Sequence, residues 1–251
     1  MIDKMNKIHH IDCLEFMKQV PDNYFDLVLT DPPYGTTQNE WDTVIDLKEF
    51  WVQINRITKD DSAVICFSAQ PFTTDLINSN RENFRYSLVW DKVLPVGFLN
   101  ANRMPLRSHE DICVFYRKLP FYNPEKTTGH DRKIVKNRNS KNNKNYGDFE
   151  NVGGYDSTER FPTSILKYSN GGNRNTILHP TQKPAELVAQ LLRLYAKEGF
   201  KIYEPFAGSG TTPVCCEMLP HLGLKWVANE LEADYVAIAN KRLEAVQGSL
   251  F

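Results

Sequence analysis

The chain has no apolar run near the roughly 20 residues that cross a bilayer, and Met1-Ile-Asp-Lys-Met5 lacks the charged and apolar stretches of a secretory signal. These absences predict a cytoplasmic protein with no membrane partner. Excess charge of one sign is missing too. The 251 residues carry a formal net charge of −1, so a polyanion would have to be met by a local patch and not by the overall field. Cysteine is sparse and unpatterned. Cys13, Cys66, Cys113, Cys215 and Cys216 form no CxxC pair and sit mostly in apolar runs, which predicts reduced, buried thiols. His9-His10 is followed by no matching ligand cluster, so no metal is expected.

What is present is an alternation of short apolar runs with helical stretches, in a chain of the right length for one α/β domain with an insertion. The runs predict seven strands, at Lys7 to Ile11, Phe25 to Thr30, Ala63 to Phe67, Ser87 to Trp90, Ile112 to Tyr116, Lys201 to Glu204 and Lys225 to Ala228. Helices are expected over Leu14 to Val20, Leu47 to Ile57, Pro71 to Ser79, Pro184 to Ala196, Thr212 to Met218 and Ala233 to Val246. The result is a doubly wound, mostly parallel sheet with helices on both faces. Alternation stops at Tyr116. From Arg117 to about Asn173 the composition is polar and rich in Asn, Gly and Lys, which marks an insertion. It carries Arg117, Lys118, Lys126, Arg132, Lys133, Lys136, Arg138, Lys141 and Lys144, against only Glu125 and Asp131 as far as Asn145. Such a stretch supplies phosphate contacts and steering, with Tyr122, Tyr146, Phe149 and Tyr155 available for stacking. A solvated surface loop explains the same composition.

Two segments carry chemistry. Asp31-Pro32-Pro33-Tyr34-Gly35 ends the apolar run Phe25 to Thr30. Its prolines fix φ and offer no N–H, which holds the carbonyls of Asp31 and Pro32 in stiff directions beside a carboxylate and a ring. An ordinary strand-ending turn would also use these residues. At the far end, Phe200-Lys-Ile-Tyr-Glu-Pro-Phe-Ala-Gly-Ser-Gly-Thr-Thr212 reads as strand, glycine turn and helix start, the arrangement by which α/β sheets hold a nucleotide-like ligand. The turn lacks the lysine of a GxxxxGK[ST] phosphate loop, and Pro213 stands where a dinucleotide fingerprint needs its third glycine. A nucleoside suits it better than a pyrophosphate. Gly208 and Gly210 permit close approach and unusual φ, Thr211 and Thr212 can cap the next helix, and Glu230 ends a later strand where a ribose would be held.

Together these motifs resemble the amino-methyltransferases that use S-adenosylmethionine to methylate exocyclic nitrogens in DNA. The order, Asp31-Pro-Pro-Tyr34 first, a basic insertion next and Glu204-Pro-Phe-Ala-Gly-Ser-Gly-Thr-Thr212 last, is similar to the permuted beta class. His179-Pro-Thr-Gln-Lys-Pro184 resembles the segment that precedes the cofactor turn in that class. The resemblance implies one Rossmann-like methyltransferase domain over 1–251, with target recognition in 117–173. It places the cofactor on Glu204, Pro205, Phe206, Ala207, Gly208, Ser209, Gly210 and Thr211, with Glu230 on the ribose hydroxyls, Asp12 and Cys13 on the adenine edge, and Thr181, Gln182 and Lys183 on the carboxylate. The alternative for Asp12 is a helix N-cap, and the two roles can coexist. Asp31 and the Pro32 carbonyl would accept both amino hydrogens, with Asp31 also bordering the cofactor, while Tyr34 stacks on a base turned out of the duplex. Asp at the first motif position implies adenine N6. Cytosine N4 is the alternative, followed by an amino group of protein or RNA, or a DNA-binding module without turnover. Arg103 and Arg107, in Pro95 to His109, are expected to approach DNA along with Arg132, Lys133, Lys136, Arg138, Lys141 and Lys144. The resemblance leaves open a cognate restriction nuclease, and monomer or homodimer.

Overall fold

A computed structural model describes residues 5–35, 43–135, 154–170 and 182–249. It divides into two compact units, Met1–Asn123 joined with Ser164–Phe251, and Pro124–Thr163. The strands in chain order are β1 (Lys7–His10), β2 (Phe25–Thr30), β3 (Thr58–Ser68), β4 (Phe84–Val96), β5 (Arg107–Phe115), β6 (Lys133–Val135), β7 (Tyr155–Ser157), β8 (Ile165–Lys167), β9 (Lys201–Glu204) and β10 (Lys225–Glu230). The helices are α1 (Cys13–Met17), α2 (Leu47–Ile57), α3 (Phe72–Ser79), α4 (Ala185–Tyr195), α5 (Thr211–Glu217) and α6 (Ala233–Ser249).

In the larger unit the sheet order is β1-β10-β9-β2-β3-β5-β4-β8. Pairing is parallel from β1 through β3, antiparallel on both sides of β5, and parallel again between β4 and β8. Period-two alternation explains why both faces are covered. Ala63, Ile65 and Phe67 of β3 and Ile112 and Val114 of β5 join one core with Leu187 and Leu191 of α4, Val214 of α5 and Ala239 of α6. Val64, Cys66, Cys113 and Phe115 join the other with Phe16 of α1, Phe50 and Ile54 of α2, and Leu76 of α3. Burying each such large side chain stabilises the fold by about 1.5–3 kcal/mol. All five cysteines are free and buried, and burial pushes the Cys13 thiol up to about 12. Among the described residues no helix is long and apolar enough to cross a membrane.

The sheet has eight strands where seven were expected. The addition is β8, three residues within the polar stretch, too short to show a period; its Leu166 is nonetheless buried against the main core. β3 also starts earlier than its apolar run, because Lys59, Asp60 and Asp61 continue the strand with charged side chains.

The smaller unit is organised around an antiparallel ribbon of β6 and β7, in register from Lys133↔Ser157 to Val135↔Tyr155. Arg132 makes two hydrogen bonds to Asp156, of 2.7 and 2.6 Å, and Lys126 pairs with Glu159 at 3.0 Å.

Candidate active site

β2 and β9 are neighbours, but the chain leaves β2 through α2 on one face and β9 through α5 on the other. The sheet therefore has its topological switch point between them, where a crevice opens beyond the strands' carboxyl ends. The register Leu27↔Ile202 and Val28↔Tyr203 brings the two sequence motifs to that crevice from opposite ends of the chain. A cleft of about 1310 Å³ lies there, lined by Asp12, Asp31 to Tyr34, Lys92, Glu110, Lys183, Glu204 to Ser209 and Glu230. Its volume exceeds that of a typical single-ligand pocket and leaves room for two reactants.

The Asp31 turn is tied down by charge. Lys183 Nζ donates to Asp31 Oδ2 at 2.6 Å and lies 3.5 Å from Glu110 Oε2. Lys92 Nζ donates to Glu110 Oε1 at 2.5 Å, and the Tyr34 hydroxyl donates to Asp31 Oδ1 at 2.6 Å. Burial pushes the Asp31 carboxyl up, Lys183 opposes that shift, and Glu110 adds to it; the net direction is upward. For Lys183, burial disfavours the cation but Asp31 and Glu110 outweigh it, and its pKa is raised. For Glu110, burial is outweighed by Lys183 and Lys92, and its pKa is lowered. The Tyr34 ring stacks on Phe72, with centroids 5.3 Å apart and planes at 21°.

The glycine turn is held from three directions. Glu230 Oε2 accepts Gly208 N–H at 2.7 Å, and its Oε1 accepts the N–H groups of Leu231 and Glu232 at 2.8 and 2.9 Å. Glu204 accepts Phe206 N–H at 3.1 Å and the Thr212 hydroxyl at 2.8 Å, and burial pushes its carboxyl up to about 8. Arg242 of α6 donates to the Ser209 carbonyl at 2.6 Å and to the hydroxyls of Ser209 and Thr211 at 3.0 and 3.2 Å. Gly208 and Gly210 both take positive φ. At Gly210 the close approach is to the protein itself, since a Cβ there would stand 2.7 Å from the Ala239 Cβ of α6.

The expected site residues have the following partners within the protein. Lys183, read as a partner of the cofactor carboxylate, is occupied by Asp31 and Glu110, two carboxylates of the protein. Asp12 caps α1 through Oδ1, accepting Leu14 and Glu15 N–H at 2.9 and 3.1 Å, while still lining the cleft beside Cys13. Gln182 accepts the Ser209 hydroxyl at 3.3 Å, which joins the segment before α4 to the glycine turn. Arg107 lines the cleft and Arg103 is exposed in the β4–β5 loop, whose Phe98 and Leu99 are 81% and 93% exposed. Arg132 is engaged by Asp156, an acid beyond the stretch over which the basic run stands out, and Lys133 is exposed on β6. Thr181, Lys136, Arg138, Lys141 and Lys144 lie outside the described residues. Sequence reading missed Lys92, Glu110, Phe72 and Arg242. The available signal was charge breaking an apolar strand pattern at Trp90-Asp-Lys92 and Glu110-Asp111.

The model of the N6/N4 DNA methylase family matches residues 25–241. The chain belongs to this DNA methylase family. The methylase is 26% identical over 257 residues to the type II methyltransferase M1.MboII of Moraxella bovis, covering 94% of this chain and 96% of that protein. It is 28% identical over 267 residues to M.ScaI of Streptomyces caespitosus, covering 97% and 83%. Among solved structures, the M1.HpyAVI–SAM complex superposes with a TM-score of 0.63 at 20% identity, over 94% of this chain and 98% of that one. The PvuII DNA methyltransferase, described as cytosine-N4-specific, gives 0.67 at 16%, over 96% and 89%. The methylase uses S-adenosylmethionine as its methyl donor. The residues fit that group: the glycine turn itself carries no lysine for a polyphosphate, and Glu230 is fixed beside it by backbone donors.

Proposed function

We propose that this DNA methylase transfers the methyl group to the exocyclic N6 of adenine, with the base turned out of the duplex into the cleft beside Asp31. The observation that supports this most is the meeting of the Asp31 turn and the glycine turn at the β2–β9 switch point. S-adenosylmethionine supplies a methyl already activated on a sulfonium, so no nucleophilic side chain is needed. The protein's tasks are placement and charge. The amino lone pair of a base is delocalised into its ring. Accepting both amino hydrogens on Asp31 and the stiff Pro32 carbonyl draws that lone pair out of conjugation and aims it. Tyr34, backed by Phe72, offers a ring on which the base stacks, and its hydroxyl holds Asp31 in place.

At the glycine turn, Glu230 already accepts three backbone N–H groups, leaving about one of a carboxylate's four lone-pair sites for a ribose hydroxyl. Gly208 N–H is the bond that would yield to a second hydroxyl. Phe206 to Gly210, Asp12, Cys13 and Gln182 complete this lobe. Arg103, Arg107 and the basic residues of 117–173, the region we assign to target recognition, meet the duplex. Adenine is chosen over cytosine on the aspartate at position 31. The test is Asp31→Ala, expected to lose methyl incorporation into DNA by orders of magnitude while cofactor binding persists; near-normal incorporation would refute the role.

A further inference from the structure

Four ionisable side chains from four separate segments alternate in sign across the cleft wall: Lys92 on β4, Glu110 on β5, Lys183 before α4 and Asp31 after β2. The links are 2.5 Å, 3.5 Å and 2.6 Å. Lys92, Glu110 and Lys183 are at most 10% exposed at their side chains, and Asp31 is 25% exposed toward the cleft. Buried charge at this density is costly unless it balances, and here two cations face two carboxylates. The linkage is uneven. Glu110 Oε2 makes no hydrogen bond, and Lys183 stands off it at 3.5 Å while contacting Asp31 closely. Lys183 is thus shared between two carboxylates, and how it is shared depends on how well Lys92 satisfies Glu110.

We propose that Lys92 and Glu110 are positioning residues that act through Lys183 to set the charge on Asp31 as the acceptor of the amino hydrogens, Lys92 favouring the carboxylate and Glu110 opposing it. Neither needs to touch either reactant. The other groups facing Asp31 are Tyr34 on its own turn, Cys66 on β3 and Glu204 on β9, with Arg107 on the same cleft wall. None of these bridges the chain. Removing Lys92 leaves one cation for two carboxylates and frees Glu110 to draw Lys183 away, so Asp31 takes up a proton more readily. Removing the Glu110 charge leaves two cations for one carboxylate and has the opposite effect. Removing both restores the balance.

The inference rests on Asp31 as the amino-group acceptor, not on which base is methylated. Its test is the acid limb of the single-turnover methyl-transfer rate against pH, measured for wild type, Lys92→Met, Glu110→Gln and the double variant. Cofactor binding is measured on each by calorimetry. The limb should move up by about one pH unit in Lys92→Met, down by about one in Glu110→Gln, and return near wild type in the double variant. Movement of both single variants in one direction, or of neither, overturns the proposal, because general damage does not reverse sign with charge. If a single variant does not fold, the charge-balanced double variant decides: a limb within about half a unit of wild type supports the inference and a larger displacement contradicts it. Failure of wild type to methylate DNA while still binding cofactor would instead strike the functional reading itself.

Discussion

Substituting Gly210 by alanine tests whether the glycine turn is shaped by α6 as described. Gly210 sits at φ +78°, a region that costs an L-residue about 1–2 kcal/mol. The new Cβ would meet Ala239 Cβ at 2.7 Å and the backbone Cα of Ala239 at 3.3 Å, and an alanine Cβ has no torsion by which to swing aside from its helix. Overpacking of this kind costs about 1–3 kcal/mol, so the two effects together remove roughly 2–5 kcal/mol. For a chain of this size that is on the order of 5–15 °C in Tm. Urea denaturation followed by tryptophan fluorescence measures it. Adding Ala239→Gly removes the Cβ–Cβ clash but leaves φ and adds about 1 kcal/mol for glycine within a helix, so only part of the loss returns. The pair should couple by about 1–3 kcal/mol. A Gly210→Ala variant within about 0.5 kcal/mol of wild type, or two losses that simply add, would refute the packing explanation.

Glu204 makes stability depend on pH. Its folded pKa of about 8 lies above the ordinary 4.5, so the folded state binds the proton more tightly and stability falls as pH rises between those values. At pH 7 the loss is about 1.36 × 2.5, or roughly 3 kcal/mol relative to pH 4.5 and below, and Glu204→Gln should abolish that part of the slope in denaturation curves. An unchanged slope would show that Glu204 does not carry it. Tyr34→Phe removes the 2.6 Å bond to Asp31 and should slow methyl transfer on the order of tenfold, while Tyr34→Ala, which also removes the stacking ring, should slow it further. Equal losses in single-turnover assays would leave the ring without a role. Lys183→Met leaves Asp31 and Glu110 without their shared cation and should cost about 3–5 kcal/mol at neutral pH in the same denaturation assay. A cost below about 1 kcal/mol would mean that the charges are not coupled.

The parts of the fold that were legible were those with a period. β2, β9 and α2 appear at the expected bounds because Phe25 to Thr30, Lys201 to Glu204 and Leu47 to Ile57 carry apolar patterns bounded by turn residues and, for α2, by the Asp46 cap. β8 was not legible, because Ile165–Lys167 is stabilised by its pairing with β4 and offers no pattern of its own. In the site, the two motifs were visible as short local signatures, and their meeting followed from the topology of a doubly wound sheet. The links among Asp31, Lys183, Glu110 and Lys92 were not visible, since they join four segments and depend on side-chain reach. For the same reason the contact of Lys183 with Asp31 was not visible beside its expected place at the cofactor. Arg242 reads as one cation among others on a terminal helix until α6 is packed onto the glycine turn.

The most direct measurement is to incubate the protein with methyl-labelled S-adenosylmethionine and duplex DNA of mixed sequence, digest the DNA to nucleosides and identify the one that carries the label. Label in N6-methyladenine is the expected result. Label in N4-methylcytosine would retain amino methylation but overturn the choice of base, and label in no DNA nucleoside, with cofactor bound, would contradict the assignment of Asp31 as the acceptor for an amino group of DNA.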